Sequence, residues 1–550
     1  MKNNKRFDFA KIFLDGKRPY FWMIFLSFIV YARTLFFGFT YFDDNVLILD
    51  NLFFLRNLSN IPKAFTLEVF HIIHSSAFYY RPILTISYMI DAFFSGENPF
   101  FYHLSSLLIH LAMCVSIFVF LSKLKIKKEV AFLFSLIFAV HPVLNQAVIW
   151  LPGRNDSLLA LFVTVSFICL IEFLTTKKNL YFWLHFLFFA LSLFTKESSI
   201  LFPILILFYG FFIFENKKVF VKILPVLFFG WGIIAFVWFY LRSIALSNNL
   251  FAYSVLGSIK SIFGNLSAVI LYLGKIILPF NLSVLPTLQD SSLIYGFISL
   301  GLILVSFIFS KNKNYRLVIF GILWFLIFLL PSFINPYAYL PYFLEHRVYL
   351  PLIGLFLLFS EFSFFKNFNL QKTFNQFLLL FFIVFLSFLT ILNSSKFANR
   401  ISFWESAVKT SPSHPLAHKN LGAMYYLDGR FDEAKKEFLK AIEINFEEPM
   451  IHNNLGLIYM REGDYKKAQE EFELELKINP NYDNALFNLG LLFWNQNQKE
   501  KASEMWLKTI AVNPDYKDAL KGLAIYYSEI KDKEKADYYF YQAQLRGVKF

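Results

Sequence analysis

The chain is short of charge and almost without cysteine. Only 17% of its 550 residues are Asp, Glu, Lys or Arg, and only 2 are Cys. Soluble globular chains carry about 25% charged residues, so the deficit excludes an ordinary water-soluble protein of this length. Cys114 and Cys169 both fall in apolar segments, which excludes a disulfide framework or a cysteine zinc site. No basic run interleaved with aromatics stands out in the polar part of the chain, so no nucleic-acid partner is expected. What fills the chain instead is apolar: 57% hydrophobic residues, with 75 Phe. That composition belongs to a polytopic membrane protein.

Charge divides the chain. From Arg400 onward there are 21 Lys/Arg and 23 Asp/Glu, against 31 and 16 before it. We expect a basic membrane domain over 1–395, with an outer loop at 39–100 that carries interfacial helices, and a soluble domain over 396–550. Apolar runs long enough to span recur between 20 and 393. Basic clusters separate them in pairs: Lys2 to Arg18, "KLKIKK" 123–128, "KK" 177–178, "NKKVFVK" 216–222, "KNKNYR" 311–316 and Lys366 to Lys372. Placing every cluster in the cytoplasm satisfies the positive-inside rule and gives about 11 crossings. The basic leader has no small-x-small cleavage site, so its apolar run is expected to stay as a first helix. The run "SAVILYLGKIILPF" holds Lys275 in its middle and is expected to be partly embedded or re-entrant. The C-terminal domain then lies outside, on the side of Asp43/Asp44, Arg81, "HPVLNQAVIWLPGRND", "TKES" and "EHRVYLP".

A 34-residue period organises the soluble part. Leu421-Gly422, Leu455-Gly456, Leu489-Gly490 and Leu523-Ala524 follow at that spacing, as do Ala434, Ala468, Ala502 and Ala536. This is the period of tetratricopeptide (TPR) arrays, in which small residues let paired helices approach. About four repeats follow a leading half at 403–412. The fold class expected is therefore all-α: a polytopic helical membrane domain followed by a TPR α-solenoid. Asn420, Asn454 and Asn488 recur at the same spacing and read either as peptide-backbone ligands or as inter-repeat packing.

Two adjacent carboxylates, Asp43 and Asp44 in "FTYFDDNVLILDN", follow the first apolar run. By themselves they read as solvated flanks of a helix end or as chemistry at the membrane surface. The order "FDDNVLILDN", "YYRPILTISYMIDAFFSGENPFFYHLSSLLIHL", "LIFAVHPVLNQAVIWLPGRNDSLLALF", "FTKESSILFPILIL", "LPFNLSVLP", "EHRVYLPLIG" and then TPRs resembles one family. It is similar to the transmembrane and TPR-containing O-mannosyltransferases of eukaryotes and their bacterial relatives, which are GT-C-type glycosyltransferases. The family's catalytic acidic pair corresponds here to Asp43 and Asp44. Where the family commonly has Glu, this chain has Gln146.

The resemblance implies an inverting transferase that moves a monosaccharide from a polyprenyl-phosphate donor to a hydroxyl, Ser/Thr of proteins, on the extracytoplasmic face. A lipid-linked donor suits a site outside the cytoplasm, where nucleotide sugars are not expected. Asp43 is then the general base, with Asp44 positioning the acceptor or adjusting its partner. Departure of the lipid phosphate calls for preorganised cations. Arg347 is the first choice, with Arg154, Lys196 and Arg81 beside it, and His346 donating a hydrogen bond. Glu345 and Glu197 would orient these cations, and His141 and Asp156 would shape the pocket. No metal is assigned and no cofactor is obligatory, although the acidic pair could hold a divalent cation. The TPR array would bind the protein acceptor or an envelope partner, and the membrane domain would contact membrane lipids. A bacterial inner membrane is the expected setting. Two other readings remain at this point: a transferase acting on a cell-envelope glycan or lipid, and a non-catalytic membrane-anchored TPR scaffold.

Overall fold

A computed structural model describes residues 9–73, 79–247, 254–334 and 340–548. Among these residues the chain is helical, the one β-bridge joining Thr287 to Tyr342. It divides into two units, residues 1–411 and 412–550.

Six helices in the first unit are long and apolar enough to cross a membrane: Arg18–Phe36, Pro99–Lys123, Leu151–Thr176, Lys217–Ala245, Tyr315–Phe333 and Thr373–Phe397. Two bent pairs, Lys128–Val140 with Pro142–Ile149 and Val255–Gly264 with Ser267–Ile277, raise the number to eight. The expected 11 crossings exceed this count because Asn179–Thr195, Glu197–Ile213 and Ile294–Phe309 are shorter apolar helices. Long and short apolar helices alike carry large side chains in the open: Phe229 is 70% exposed, Phe309 76% and Phe374 70%. Such faces are stable against lipid and not against water, so the chain is an integral membrane protein.

The core of this unit forms where Pro99–Lys123 packs against Arg18–Tyr31, Lys128–Val140 and Arg154–Thr176. Asn98 starts the long helix by accepting from Phe100 N, with Pro99 at the first helical position. Above it sits a smaller cap, built from Leu47, Leu55, Val69, Leu84, Tyr88, Tyr102 and Leu151. Pro82–Ser95 is the main helix of this cap. It buries Leu84, Tyr88 and Met89 while leaving Ile90, Phe93 and Phe94 exposed, as a helix lying along a membrane surface would. Lys275 is not left alone in its apolar run. Its ammonium is fully buried and pairs with Glu345 at 2.7 Å, while also donating to Asn281 O at 2.7 Å.

The second unit consists of four helical hairpins, from Pro415–Leu427 with Phe431–Ile444 to Lys517–Glu529 with Lys533–Leu545. A Cβ on Gly422, Gly456 or Gly490 would lie within 2.7 Å of Phe438, Phe472 or Trp506, which explains glycine at that place in three successive repeats. The helix Arg400–Thr410, which includes most of the expected leading half-repeat, packs within the first unit, and Trp404 is fully buried there.

Candidate functional site

The acidic loop is held by aromatic packing. Phe42 stacks on Trp150 at 5.0 Å between ring centroids and meets Trp404 edge-on at 5.3 Å. Trp150 Nε1 donates to the Phe42 carbonyl at 2.8 Å, and Gly38 N donates to Ala398 O at 2.9 Å. On either side of Phe42 the backbone enters the left-handed region at two side-chain-bearing residues, Tyr41 (φ 57°) and Asp43 (φ 68°). Backbone strain of this kind persists only where the surroundings over-determine it, and it concentrates at functional sites. A wide π-type turn, Asn45–Leu49, follows directly.

This geometry separates the two carboxylates. Asp43 lines a large cavity. Asp44 lies behind it, 1% exposed, with Oδ2 accepting from Thr40 N at 2.7 Å and Thr40 Oγ1 at 2.9 Å. Its Oδ1 is buried without a hydrogen-bond partner. Burial raises the Asp43 carboxyl to about 6 although Arg81 pulls it down. Burial raises Asp44 to about 7, against the pull of the Thr40 hydrogen bonds and with some help from the neighbouring Asp43. Both therefore titrate near the operating range of a general base, unlike surface aspartates.

The cavity encloses about 1450 Å³. One part of its lining is ionic: Arg81, Lys196, Arg242 and Arg347 with Asp43, Asp156 and Glu197. Arg81 pairs with Glu197 at 3.4 Å and lies over the Tyr79 ring at 4.5 Å. Lys196 donates to both Asp156 oxygens, at 2.9 and 2.8 Å. Arg347 is fixed by Nη1 donating to Ser332 O at 3.0 Å and Tyr342 O at 3.1 Å. Much of the remaining lining is apolar, including Ala235, Phe239, Leu323, Leu326 and Ile327. No group of three or more His, Cys, Asp or Glu positioned for a metal occurs among the described residues.

Several expected site residues lie elsewhere. Arg154 does not line the cavity. Its guanidinium is fully buried and pairs with Asp91, donating also to Ser106 Oγ at 3.0 Å, Ser87 Oγ at 3.2 Å and the Tyr102 carbonyl. Four of its five N–H groups are engaged, so it clamps the cap onto the bundle away from the cavity. His141 is also absent from the cavity wall, because Nδ1 accepts from Val143 N at 3.3 Å and Nε2 donates to Ile276 O at 2.8 Å. Glu345 does not orient Arg347: its Oε1 receives Lys275 at 2.7 Å and Ser283 N at 2.7 Å. In the second unit Asn488 Nδ2 donates to Asn453 Oδ1 at 2.8 Å, and Asn453 donates to Asn454 at 3.3 Å. Asn488 thus joins its repeat to the preceding one, the Asn454 contact stays within its own repeat, and Asn420 is half-buried on the first hairpin.

Gln146 and His346 form an unexpected unit. Gln146 Nε2 donates to Val284 O at 2.9 Å, and its Oε1 accepts from His346 N at 3.2 Å and faces His346 Nδ1 at 3.3 Å. The turn carrying Gln146 is pressed onto the next one, where a Cβ on Gly153 would lie 2.4 Å from Gln146 O. Burial, with Lys196, Arg347 and Arg81 nearby, lowers His346 well below the usual histidine range, so its ring is neutral. Arg242 lines the cavity and was not among the expected site residues. The signal for it was a lone arginine just past an apolar run, at the end away from the basic cluster 216–222.

Tetratricopeptide-repeat models match residues 449–482 and 422–463. Protein O-mannosyl-transferase TMTC1 of Mus musculus is 33% identical over 90 residues, 16% of this chain and 10% of the relative. Protein O-mannosyl-transferase TMTC3 of Homo sapiens is 30% identical over 148 residues, 25% of this chain and 15% of the relative. The matches therefore span only about a tenth to a seventh of these relatives' length. Among solved structures, the crystal structure of MamA is 21% identical, covering 27% of this chain and 86% of that chain at a TM-score of 0.25. The chain resembles the TMTC O-mannosyltransferases and carries TPR repeats in its C-terminal part.

Proposed function

We propose that the protein is an inverting membrane glycosyltransferase of GT-C type. It moves one sugar from a polyprenyl-phosphate donor to a hydroxyl of a protein acceptor on the extracytoplasmic face. The observation that carries this reading is the cavity in which Asp43 shares one lining with four cations and an apolar wall. The resemblance to proteins named O-mannosyl-transferases supports the same chemistry.

In this mechanism the isoprenoid tail lies along Phe239, Leu323 and Ile327, and the phosphate meets Arg347, Arg81, Lys196 and Arg242. Guanidinium groups suit the phosphate because they hold two oxygens at once. Asp43 takes the acceptor proton as the hydroxyl oxygen bonds to the anomeric carbon. The bond from that carbon to the phosphate oxygen breaks on the opposite face, and its electron pair leaves with the phosphate. Cations already in place stabilise the growing charge without reorganising. Asp44, tied to Thr40, positions its neighbour and keeps the local charge low. The TPR unit presents the acceptor or a partner.

The test compares surface glycoproteins and glycolipids in cells carrying wild type, Asp43→Asn, Asp44→Asn or a chain ending at 411. Loss of a sugar from particular proteins in the Asp43 variant is expected. Unchanged glycosylation in both aspartate variants, with assembly defects only on removal of the repeats, would instead identify a scaffold.

A further inference from the structure

The hydrogen bonds around His346 fix which ring nitrogen carries its proton. Val284 O can only accept, so the Gln146 amide must turn its NH₂ toward it. The His346 backbone N–H can only donate, so it requires Oε1 on its side, which agrees. One amide orientation satisfies both contacts. Oε1 then faces Nδ1, and an oxygen there is satisfied only by an Nδ1–H. In the neutral ring the lone pair therefore sits on Nε2.

Nε2 stands 3.6 Å from Asp156 Oδ2. Both residues line the cavity. Asp156 Oδ2 also accepts from Lys196 Nζ at 2.8 Å, so the protein presents two adjacent acceptors, with one ammonium already engaged by the carboxylate. A phosphate oxygen is a poor occupant of such a place, being an acceptor with negative charge. A pair of O–H donors is a good one. The charged groups facing the ring are Asp156, Lys196, Arg81 and Arg347, and the Trp150 ring lies 5.2 Å from it.

We infer that His346 is a sugar-recognition residue: Nε2, held as an acceptor by Gln146 behind the ring, and Asp156 Oδ2 together receive neighbouring hydroxyls of the sugar being transferred. This rests on the donor proposed above and changes one role within it, since His346 then contacts the sugar and not the phosphate. Gln146 is a positioning residue. A glutamate at 146 would hold an imidazolium by a charged hydrogen bond and turn Nε2 into a donor, so the amide selects the acceptor form.

The test measures binding of two lipids to the purified full-length protein: bare polyprenyl phosphate, and polyprenyl phosphate carrying mannose or glucose. In His346→Asn the amide reaches the Nδ1 position but not Nε2. Affinity for the sugar-bearing lipid should fall about tenfold, the size of one hydrogen bond, with the bare lipid unaffected. His346→Gln restores an acceptor near the Nε2 position and should recover most of the loss. Gln146→Glu leaves the histidine in place and should weaken only the sugar-bearing lipid. Equal weakening of both lipids would place His346 on the phosphate and overturn the inference, as would no change in either. If the wild type binds neither lipid, the donor reading itself falls, and this inference with it.

Discussion

At the scale of single residues, the two aspartates differ more than their adjacency suggests. Asp43 lines the cavity while Asp44 is turned back onto Thr40. Asp43→Asn should lower transfer about 10²–10⁴-fold, the range of a lost general base, with donor binding retained. The base works in its ionised form, so wild-type transfer should rise with pH through about 6. Asp44 gives a stability prediction of definite sign. Its carboxyl is raised from 3.8 to about 7, so over that window the folded state holds a proton the unfolded chain releases. Stability therefore falls as pH rises through the window. Asp44→Asn keeps an oxygen for Thr40 and removes the charge, so its thermal midpoint should exceed wild type above pH 7, with the gap closing in acid. Motif order singled out Asp43, and the structure places it on the cavity wall, with Asp44 turned away. Arg154, His141 and Glu345 were misread for a physical reason: sequence shows a charge and its side of the membrane, not the partner that consumes it. Arg154 and Asp91 stand 63 residues apart and meet only in the folded chain.

Among the elements, buried pairs and close helix contacts set the geometry that the site inherits. The Lys275–Glu345 pair ties the bent helices 255–277 to the turn that carries His346 and Arg347. Lys275→Met alone leaves a buried carboxylate unpaired and should cost about 3–5 kcal/mol, read as a lowered unfolding temperature in detergent. Combining it with Glu345→Gln should recover much of that loss. Helices, their order and the repeat period were all readable, because hydrophobic runs and the 34-residue spacing are local patterns. The bend beside Lys275 was readable too, because a charge in mid-run argues against a plain span. The bend between Lys128–Val140 and Pro142–Ile149 and the short helices were not. They arise where packing makes a helix stop before it has spanned, and composition does not record that. The helix Arg400–Thr410 is an instance: repeat-like by spacing, yet packed in the first unit beneath Phe42.

For the whole molecule, the two units divide the labour in the proposed function. A chain ending at 411 should still bind polyprenyl phosphate, since every lining residue of the cavity lies before it, but should lose glycosylation of its protein acceptors. A reporter fused after Phe550 should be inactive in the cytoplasm; cytoplasmic activity would contradict the shared face. The central claim is that Asp43 drives discharge of a lipid-phosphate sugar. Its most direct test measures polyprenyl phosphate released from a polyprenyl-phosphate hexose by membranes holding wild type or Asp43→Asn, across pH. The account predicts release by wild type that climbs through about pH 6 and is nearly absent in the variant. Equal release by both proteins would contradict it.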